Sequence, residues 1–440
     1  MSQIIEIKPA IRARGLVVLP GDKSISHRAL ILGALAEGRC RIENLATGDD
    51  IKATIRVLRD LGVLITLAPD GESATVEGVE GAFKAPDKPL DCGNSGTTLS
   101  LMAGVLAAQP FRSILTGDDS LRRRPMSYIA EPLSLMGAEI STAQGGRPPL
   151  TIRGRPLTGI SYKPKLASAQ VKSAVVLAAL FATGETVFHE PLQTRDHTER
   201  ILSSLGGDEL VSIDRIEKTI TVQGDHGKID PFDIVIPGDP SSAAYPIVLA
   251  TLLHESSLTV PYVGLNAGRI AFFRHLQAMG AHLVMTPDAQ ASKSTCGEPI
   301  GEITVHTAKL KNVPIDPDRI PAMIDELPLL SVVACLSDRP WQITGAGRLR
   351  DKETDRITTT CMMLRSLGAD VDEHRDGLSG MGGQKLKGGV VDCMGDHRIA
   401  MSAAVAGWCA QGPTRIEDAE CVGISFPKFF EQMEDIVEFH

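Results

Sequence analysis

The sequence predicts an α/β protein of two domains, built from six copies of one unit. Three observations carry this. Six Ala/Leu/Val-rich segments each start at a polar residue suited to cap a helix: Ser24, Ser95, Ser168, Ser241, Asp325 and Asp396. Amphipathic segments alternate with them and end in Leu-Gly or Met-Gly pairs. A Pro-Gly-Asp motif followed one residue later by Ser occurs twice, as LPGDKS and IPGDPS, about 217 residues apart. With 440 residues the chain is too long for a single core.

The first set of segments recurs roughly every 70–85 residues, a repeat signature. Their bodies, such as SISHRALILGALAEG and DHRIAMSAAVAGWCAQG, are apolar on all sides. Such helices are buried. A buried helix presents its unpaired N–H groups and the positive end of its dipole at its first turn. Several such turns facing one cleft would attract anions.

The second set runs DDIKATIRVLRDLG, YIAEPLSLMG, RDHTERILSSLGG, RIAFFRHLQAMG and ETDRITTTCMMLRSLG. Apolar residues recur at helical spacing with charges between them, so these are half-exposed helices. Gly62, Gly137, Gly206, Gly280 and Gly368 read as left-handed C-caps. FPKFFEQMEDIVEF is a sixth copy without the glycine. Strand-like stretches fall between them: RIENL, ATVEGV, LTIRG, ITVQG, LVMTP and QITGAG. One unit therefore reads strand, buried helix, strand, surface helix, short strands.

The paired Pro-Gly-Asp motifs divide the chain. One domain is expected over 21–238 and the other over 1–20 plus 239–440, with crossovers near 19–24 and 236–241. Two crossovers at one edge would act as a hinge at Gly21 and Gly238.

Composition narrows the function. A net charge of -9 argues against non-specific nucleic-acid binding, and 4 % aromatics against base-stacking platforms. Hydrophobic (43 %) and charged (22 %) contents are those of a globular protein. The eight cysteines are scattered with no CxxC, which removes support for zinc or dithiol chemistry and fits a reducing cytosol. The N-terminal MSQIIEIKPAIRARG has no signal-peptide core, and no apolar run is long enough for a membrane span. A cytoplasmic protein with a small acidic ligand is expected.

Candidate residues cluster at the helix starts. PGDKSISHRAL puts Lys23 and Ser24 at a helix start and Arg28 one turn on, a setting for phosphate or carboxylate. The glycine spacing is not that of a Walker A loop. GNSGTT offers Gly96, where a ligand can approach the backbone. LTGDDSLRRRPM is either a solvated face or a mobile basic loop before a helix-starting Pro125, with Arg124 pointing inward. LASAQVKSA supplies Ser168 and Gln170; TRDHTER supplies Arg195 and His197. Asp325 starts a buried helix, where the dipole stabilises its charge. It is a cap, a proton-transfer group, or both. RDKETDRI groups Lys352, Glu353 and Arg356, the last two sharing a helix face, and GDHRIAMS adds Asp396, His397 and Arg398.

These segments together resemble the 5-enolpyruvylshikimate-3-phosphate synthase family. PGDKSISHRAL, GNSGTT, Arg124-Pro125, ASAQVKSA, TRDHTER, GDPSS, IDELP, DKETDR and DHRIAMS match in order over nearly the whole chain, and ASAQVKSA with TRDHTER looks like the bacterial class II subgroup. The resemblance implies two inside-out α/β domains of three βαβαββ units each. It implies transfer of enolpyruvyl from phosphoenolpyruvate to the 5-hydroxyl of shikimate 3-phosphate with release of phosphate, on the route to chorismate and aromatic amino acids. No metal or organic cofactor and no partner beyond the two substrates is implied, and a monomer is expected.

Carried over residue by residue, the resemblance puts Ser24 and Arg28 on the shikimate carboxylate, and Ser168, Ala169, Gln170 and Arg195 on its 3-phosphate. Asp325 and Lys352 contact the ring hydroxyls, and Lys23 serves both substrates. Lys23, Gly96, Arg124, Gln170, Arg356 and Arg398 line the phosphoenolpyruvate site, the last two on its carboxylate. Asp325 is the expected base and Glu353 the expected acid, with Lys23 sharing the proton traffic. Two substrate charges ~5 Å apart at an effective dielectric near 20 repel by about 3 kcal/mol, which explains the many cations.

Three positions depart from the family pattern. Ala169 stands where serine is common, Ser100 where arginine is frequent, and Ile424 where some members carry a phosphate-binding lysine, with Lys428 offset from it. The family's inhibitor glyphosate is expected to act here, with Gly96 leaving it room. A UDP-N-acetylglucosamine enolpyruvyl transferase would share the architecture and usually has a reactive cysteine or aspartate in its basic loop; GDDSLRRRP has no cysteine, although Asp118 and Asp119 are present, and DKSISHR with ASAQVKSA favours shikimate 3-phosphate. An idle anion-binding protein would not need Asp325, Glu353 and Lys23 together.

Overall fold

The computed structural model describes residues 3–224 and 229–439. The described chain divides into two compact units. One comprises Gly21–Pro237 with Gln290–Glu298; the other comprises the residues up to Pro20, Gly238–Ala289 and those from Pro299 onward. Two details differ from the expected boundaries. Gly238 belongs with the second unit, and the short segment Gln290–Glu298 belongs with the first.

Each unit holds three buried helices. In the first these are Lys23–Leu35, Gly96–Ala107 and Ala169–Ala179; in the second Pro240–Leu252, Leu327–Leu336 and His397–Trp408. Nearly every residue in them is buried, including the polar ones. Burying a Leu or Val side chain fully contributes about 1.5–3 kcal/mol, so these helices dominate each core. In the first unit Gly104 lies against the next buried helix, where an added Cβ would stand 2.3 Å from the Ala174 carbonyl oxygen. Only glycine permits that approach.

The caps explain where the helices start. Ser95, Ser168 and Asp396 cap as expected, accepting from the amides of Thr98, Val171 and Arg398. Ser24 and Ser241 do not cap. The aspartates of the two Pro-Gly-Asp motifs do: Asp22 accepts from the Ile25 amide and Asp239 from the Ser241 amide. A carboxylate there satisfies a free donor and complements the dipole. Asp325 lies in a 3-10 turn, Ile324–Glu326, just before its helix.

Half-exposed helices follow at Asp49–Asp60, Ser127–Leu135, His197–Leu210, Ala271–Ala278, Arg356–Ser366 and Phe429–Glu434. Gly62, Gly137, Gly280 and Gly368 take positive φ after their helices, but at the third Gly207 (φ 64°), not Gly206, makes the break. The first unit carries three four-stranded sheets of one design: a leading strand parallel to its neighbour, then two antiparallel pairings. In the first repeat the leading strand is Asp233–Val235, from the far end of the unit, paired with Arg39–Glu43. That pairing closes the cycle of three. The second unit has one five-stranded sheet, into which Arg12–Leu16 inserts, and two three-stranded sheets, one including Ile5–Ile7. No helix among the described residues is long and apolar enough to cross a membrane.

Candidate active site

The candidate residues gather in both units, as two groups in the first and one in the second. In the first, the Lys23–Leu35 helix places Lys23 against Asp50, Nζ to Oδ2 at 2.8 Å. One turn on, Arg28 is buried and spreads its guanidinium over three acceptors: Thr198 Oγ1 at 2.6 Å, Ser173 Oγ at 2.6 Å and the Ser24 carbonyl at 2.8 Å. Burial pulls its pKa down to about 10, with Glu199 opposing and Arg195 adding to the fall. Arg195 Nη1 donates to Ser24 Oγ at 3.3 Å. Lys23, Ser24, Arg28 and Arg195 are thus one group.

Gly96, Arg124 and Gln170 form a second group in the same unit. A Cβ on Gly96 would lie 3.5 Å from Arg124 Nη1 and 3.6 Å from Gln170 Nε2. Arg124 is buried and donates to Asn94 Oδ1 at 2.6 Å and Ser120 Oγ at 3.1 Å. The loop reading of this segment is corrected: Asp119–Arg123 is a short helix capped by Asp118, and the next helix begins at Ser127 rather than at Pro125. Ser168, Ala169 and Gln170 sit half-buried at the start of their helix. Behind them Lys172 is wholly buried between Glu190 and Glu199, each at 2.6 Å.

In the second unit everything turns on Arg356. Its Nε and Nη2 meet Asp396 at 2.8 and 3.1 Å, Nη1 meets Asp325 Oδ1 at 3.1 Å, and Nη2 meets Glu353 Oε2 at 2.6 Å. Burial works against its charge, but Asp396, Glu353 and Asp325 outweigh it and raise its pKa. Lys352 Nζ reaches the same Asp325 oxygen at 3.0 Å. Glu353 precedes the Arg356–Ser366 helix instead of sharing its face, yet the pair forms. Arg398 is buried with Nη1 unpartnered; burial opposes its charge, but Tyr245, Asp325 and Asp239 keep its pKa above the ordinary value. An unpaired, charged, buried donor is suited to an anion.

The chain that carries these clusters matches one group of known proteins along nearly its whole length. The family model described as EPSP synthase (3-phosphoshikimate 1-carboxyvinyltransferase) matches residues 7–433. The chain belongs to this family. A 3-phosphoshikimate 1-carboxyvinyltransferase from Acidithiobacillus ferrooxidans is 46 % identical over 425 residues, 96 % of this chain and 95 % of that one. One from Syntrophomonas wolfei is 44 % identical over 421 residues, 95 % and 96 % of the two chains. The solved EPSP synthase of Acinetobacter baumannii superposes with a TM-score of 0.84 at 39 % identity, covering 100 % of this chain and 99 % of that one. An enolpyruvyl transferase of Streptomyces tendae shares the fold at 17 % identity, with a TM-score of 0.80 over 100 % and 98 % of the two chains.

The departures from the EPSP synthase pattern have visible settings. Ser100 is wholly buried inside the Gly96–Ala107 helix. Ile424 is half-buried, and Lys428 is exposed at the start of Phe429–Glu434. The sequence reading assigned no role to Asp50, Thr198 and Ser173, the partners of Lys23 and Arg28. It also missed that Asp396 binds Arg356 as well as capping. These pairings join residues 27 to 170 positions apart, and only a buried acceptor beside a buried arginine signals them.

Proposed function

We propose that these groups serve one reaction, transfer of enolpyruvyl from phosphoenolpyruvate to the 5-hydroxyl of shikimate 3-phosphate with release of phosphate. The observation that carries the reading is the placement of Asp325 and Glu353 on one buried guanidinium, that of Arg356. A cation that holds two carboxylates ready can exchange one of them for the carboxylate of a substrate.

Shikimate 3-phosphate takes Ser24 and Arg28 at its carboxylate, Ser168, Ala169, Gln170 and Arg195 at its phosphate, and Asp325 and Lys352 at its hydroxyls, with Lys23 shared between the two substrates. Arg28 spends three of its five N–H donors inside the protein, which leaves two for a carboxylate. Phosphoenolpyruvate takes Lys23, Gly96, Arg124 and Gln170, with Arg356 and Arg398 on its carboxylate. Binding it to Arg356 displaces Asp325 or Glu353 from a guanidinium nitrogen and makes that carboxylate available.

Asp325 then accepts the 5-hydroxyl proton as O5 bonds to C2. The C2–C3 π pair takes a proton from Glu353, giving a methyl group and a tetrahedral phosphate adduct. In the second half Glu353 takes a proton back from C3, the double bond re-forms, and the C2–O bond to phosphate breaks. The leaving phosphate receives the proton held by Asp325, with Lys23 sharing the transfer. Phosphate release that requires both substrates tests this; release with UDP-N-acetylglucosamine in place of shikimate 3-phosphate would point to the other transferase.

The crossovers near 19–24 and 236–241 are proposed as hinges. A radius of gyration that falls on adding shikimate 3-phosphate would support them, and an unchanged one would count against them. A cytoplasmic monomer fits the eight unpaired cysteines.

A further inference from the structure

A chain of four buried polar side chains runs through the apolar core of the first unit, and the reaction above uses none of them. His27 Nδ1 lies 2.7 Å from Thr54 Oγ1, Thr54 Oγ1 lies 2.7 Å from Thr98 Oγ1, and Thr98 Oγ1 lies 2.8 Å from Ser95 Oγ. All four residues are fully buried. They come from three elements: the Lys23–Leu35 helix, the Asp49–Asp60 helix and the capped start of Gly96–Ala107. Polar groups buried among Leu, Ile and Ala cost stability unless bonded, so such a chain specifies one arrangement of the helices that carry it.

The chain has a direction. The Thr98 hydroxyl donates to Ser95, so it must accept from Thr54. Thr54 has then spent its proton and must accept from the imidazole Nδ1–H of His27. Burial, reinforced by Lys23 and Arg28, holds the His27 pKa well below the ordinary imidazole range, so the ring is neutral. Its Nε2 has no partner. With the proton on Nδ1, that nitrogen is a bare lone pair; the reverse direction would strand a buried N–H.

The Ser95 end of the chain lies beside a residue assigned to phosphoenolpyruvate. Ser95 Oγ also accepts from the Thr98 amide at 3.0 Å, and this cap fixes the first turn that begins at Gly96. The contacts of Ser168, Gln170 and Arg195 do not pass through it.

We propose that His27 is a positioning residue for phosphoenolpyruvate, acting through Thr54 and Thr98 to hold the Ser95–Gly96 turn in place. The inference rests on the assignment of Gly96 made above. It differs from a general packing role because it predicts a selective effect on one of two substrates.

The test is steady-state kinetics of His27→Leu, Thr54→Val and Thr98→Val. Each should raise KM for phosphoenolpyruvate by roughly tenfold, the size expected when a buried hydrogen-bond partner is removed. KM for shikimate 3-phosphate should stay within about twofold. The double variant His27→Leu/Thr54→Val should be no worse than the worse single one, because the two residues act through one chain. His27→Asn, whose side-chain amide can donate in place of Nδ1–H, should recover most of the loss and serves where the leucine variant does not fold. KM values that rise together, or additive effects in the double variant, would overturn the proposal. Amide hydrogen exchange separates this from a failure of the site assignment: His27→Leu should speed exchange at Gly96–Thr98 and leave 169–171 unchanged, whatever the substrates prove to be. Unchanged exchange at Thr98 would also overturn it.

Discussion

Asp325 and Arg356 meet at 3.1 Å, on the same Oδ1 that Lys352 reaches at 3.0 Å. Two cations on one oxygen stabilise a carboxylate, and Glu353 shares the same guanidinium from the other side. Replacing either carboxylate by its amide keeps the shape and removes the proton site. Asp325→Asn and Glu353→Gln are each expected to lower kcat by roughly 10²–10⁴, the usual share of a general acid or base. KM should change far less. Single-turnover phosphate release measures the effect directly. Either amide variant turning over at the parental rate would remove that residue from the proton path.

Arg28 makes a prediction about shape rather than charge. Its three internal bonds run in three directions from one planar group. Lysine keeps the charge but cannot form that fork. Arg28→Lys should therefore raise KM for shikimate 3-phosphate by roughly 10–100-fold, as expected for one or two lost charge-assisted bonds. Binding of phosphoenolpyruvate alone should change little. Calorimetric titration of each substrate separates the two, and equal weakening of both would contradict the assignment.

Gly96 tests a steric argument. A methyl group there meets Arg124, Gln170 and Leu121 at 3.5, 3.6 and 3.8 Å, all ordinary contacts, so the empty protein accommodates Gly96→Ala without strain. The methyl would occupy the space between two side chains assigned to phosphoenolpyruvate. Glyphosate inhibition is expected to weaken by about tenfold or more, consistent with 1–3 kcal/mol of overpacking. Thermal stability should hold. An inhibition constant that does not move would refute the argument.

How far the sequence could be read follows from the range of the interactions. The buried helices are visible because apolar composition and a cap are local properties. The caps at Asp22 and Asp239 were misplaced by two residues because Ser and Asp are both good caps, and only backbone geometry chooses between them. The Gly206 and Gly207 pair is the same problem: two glycines, one left-handed position. Asp325, Glu353 and Arg356 stand out by their motifs and take expected roles from the resemblance, but their mutual contacts span 3 to 31 positions and carry no periodic signal. The hydrogen-bonded chain from His27 was invisible for the same reason, since its members look like ordinary helix residues. The placement of Gln290–Glu298 with the first unit depends on contacts such as His197 with Glu298 at 2.7 Å, across 101 positions.

The cysteines give a prediction about pH. Burial pushes all eight thiols above their ordinary value. Cys296 and Cys361 rise to about 11, and Cys335 and Cys409 to about 12. The folded chain therefore keeps these protons at a pH where the unfolded chain releases them. For Cys296, Cys361, Cys335 and Cys409 this contribution to stability is complete below the unfolded value of 9.0 and is lost as pH rises through about 11 to about 12. Lys172 and Tyr245, also shifted upward, act in the same sense. The urea midpoint should fall steadily from pH 8 to 10.5, and Cys335→Ala should remove one thiol's share of the slope. Iodoacetamide at pH 8 should label the native protein slowly and the unfolded protein at all eight positions. A midpoint that stays level to pH 10.5, or rapid native labelling, would show that these thiols are not held protonated by the fold.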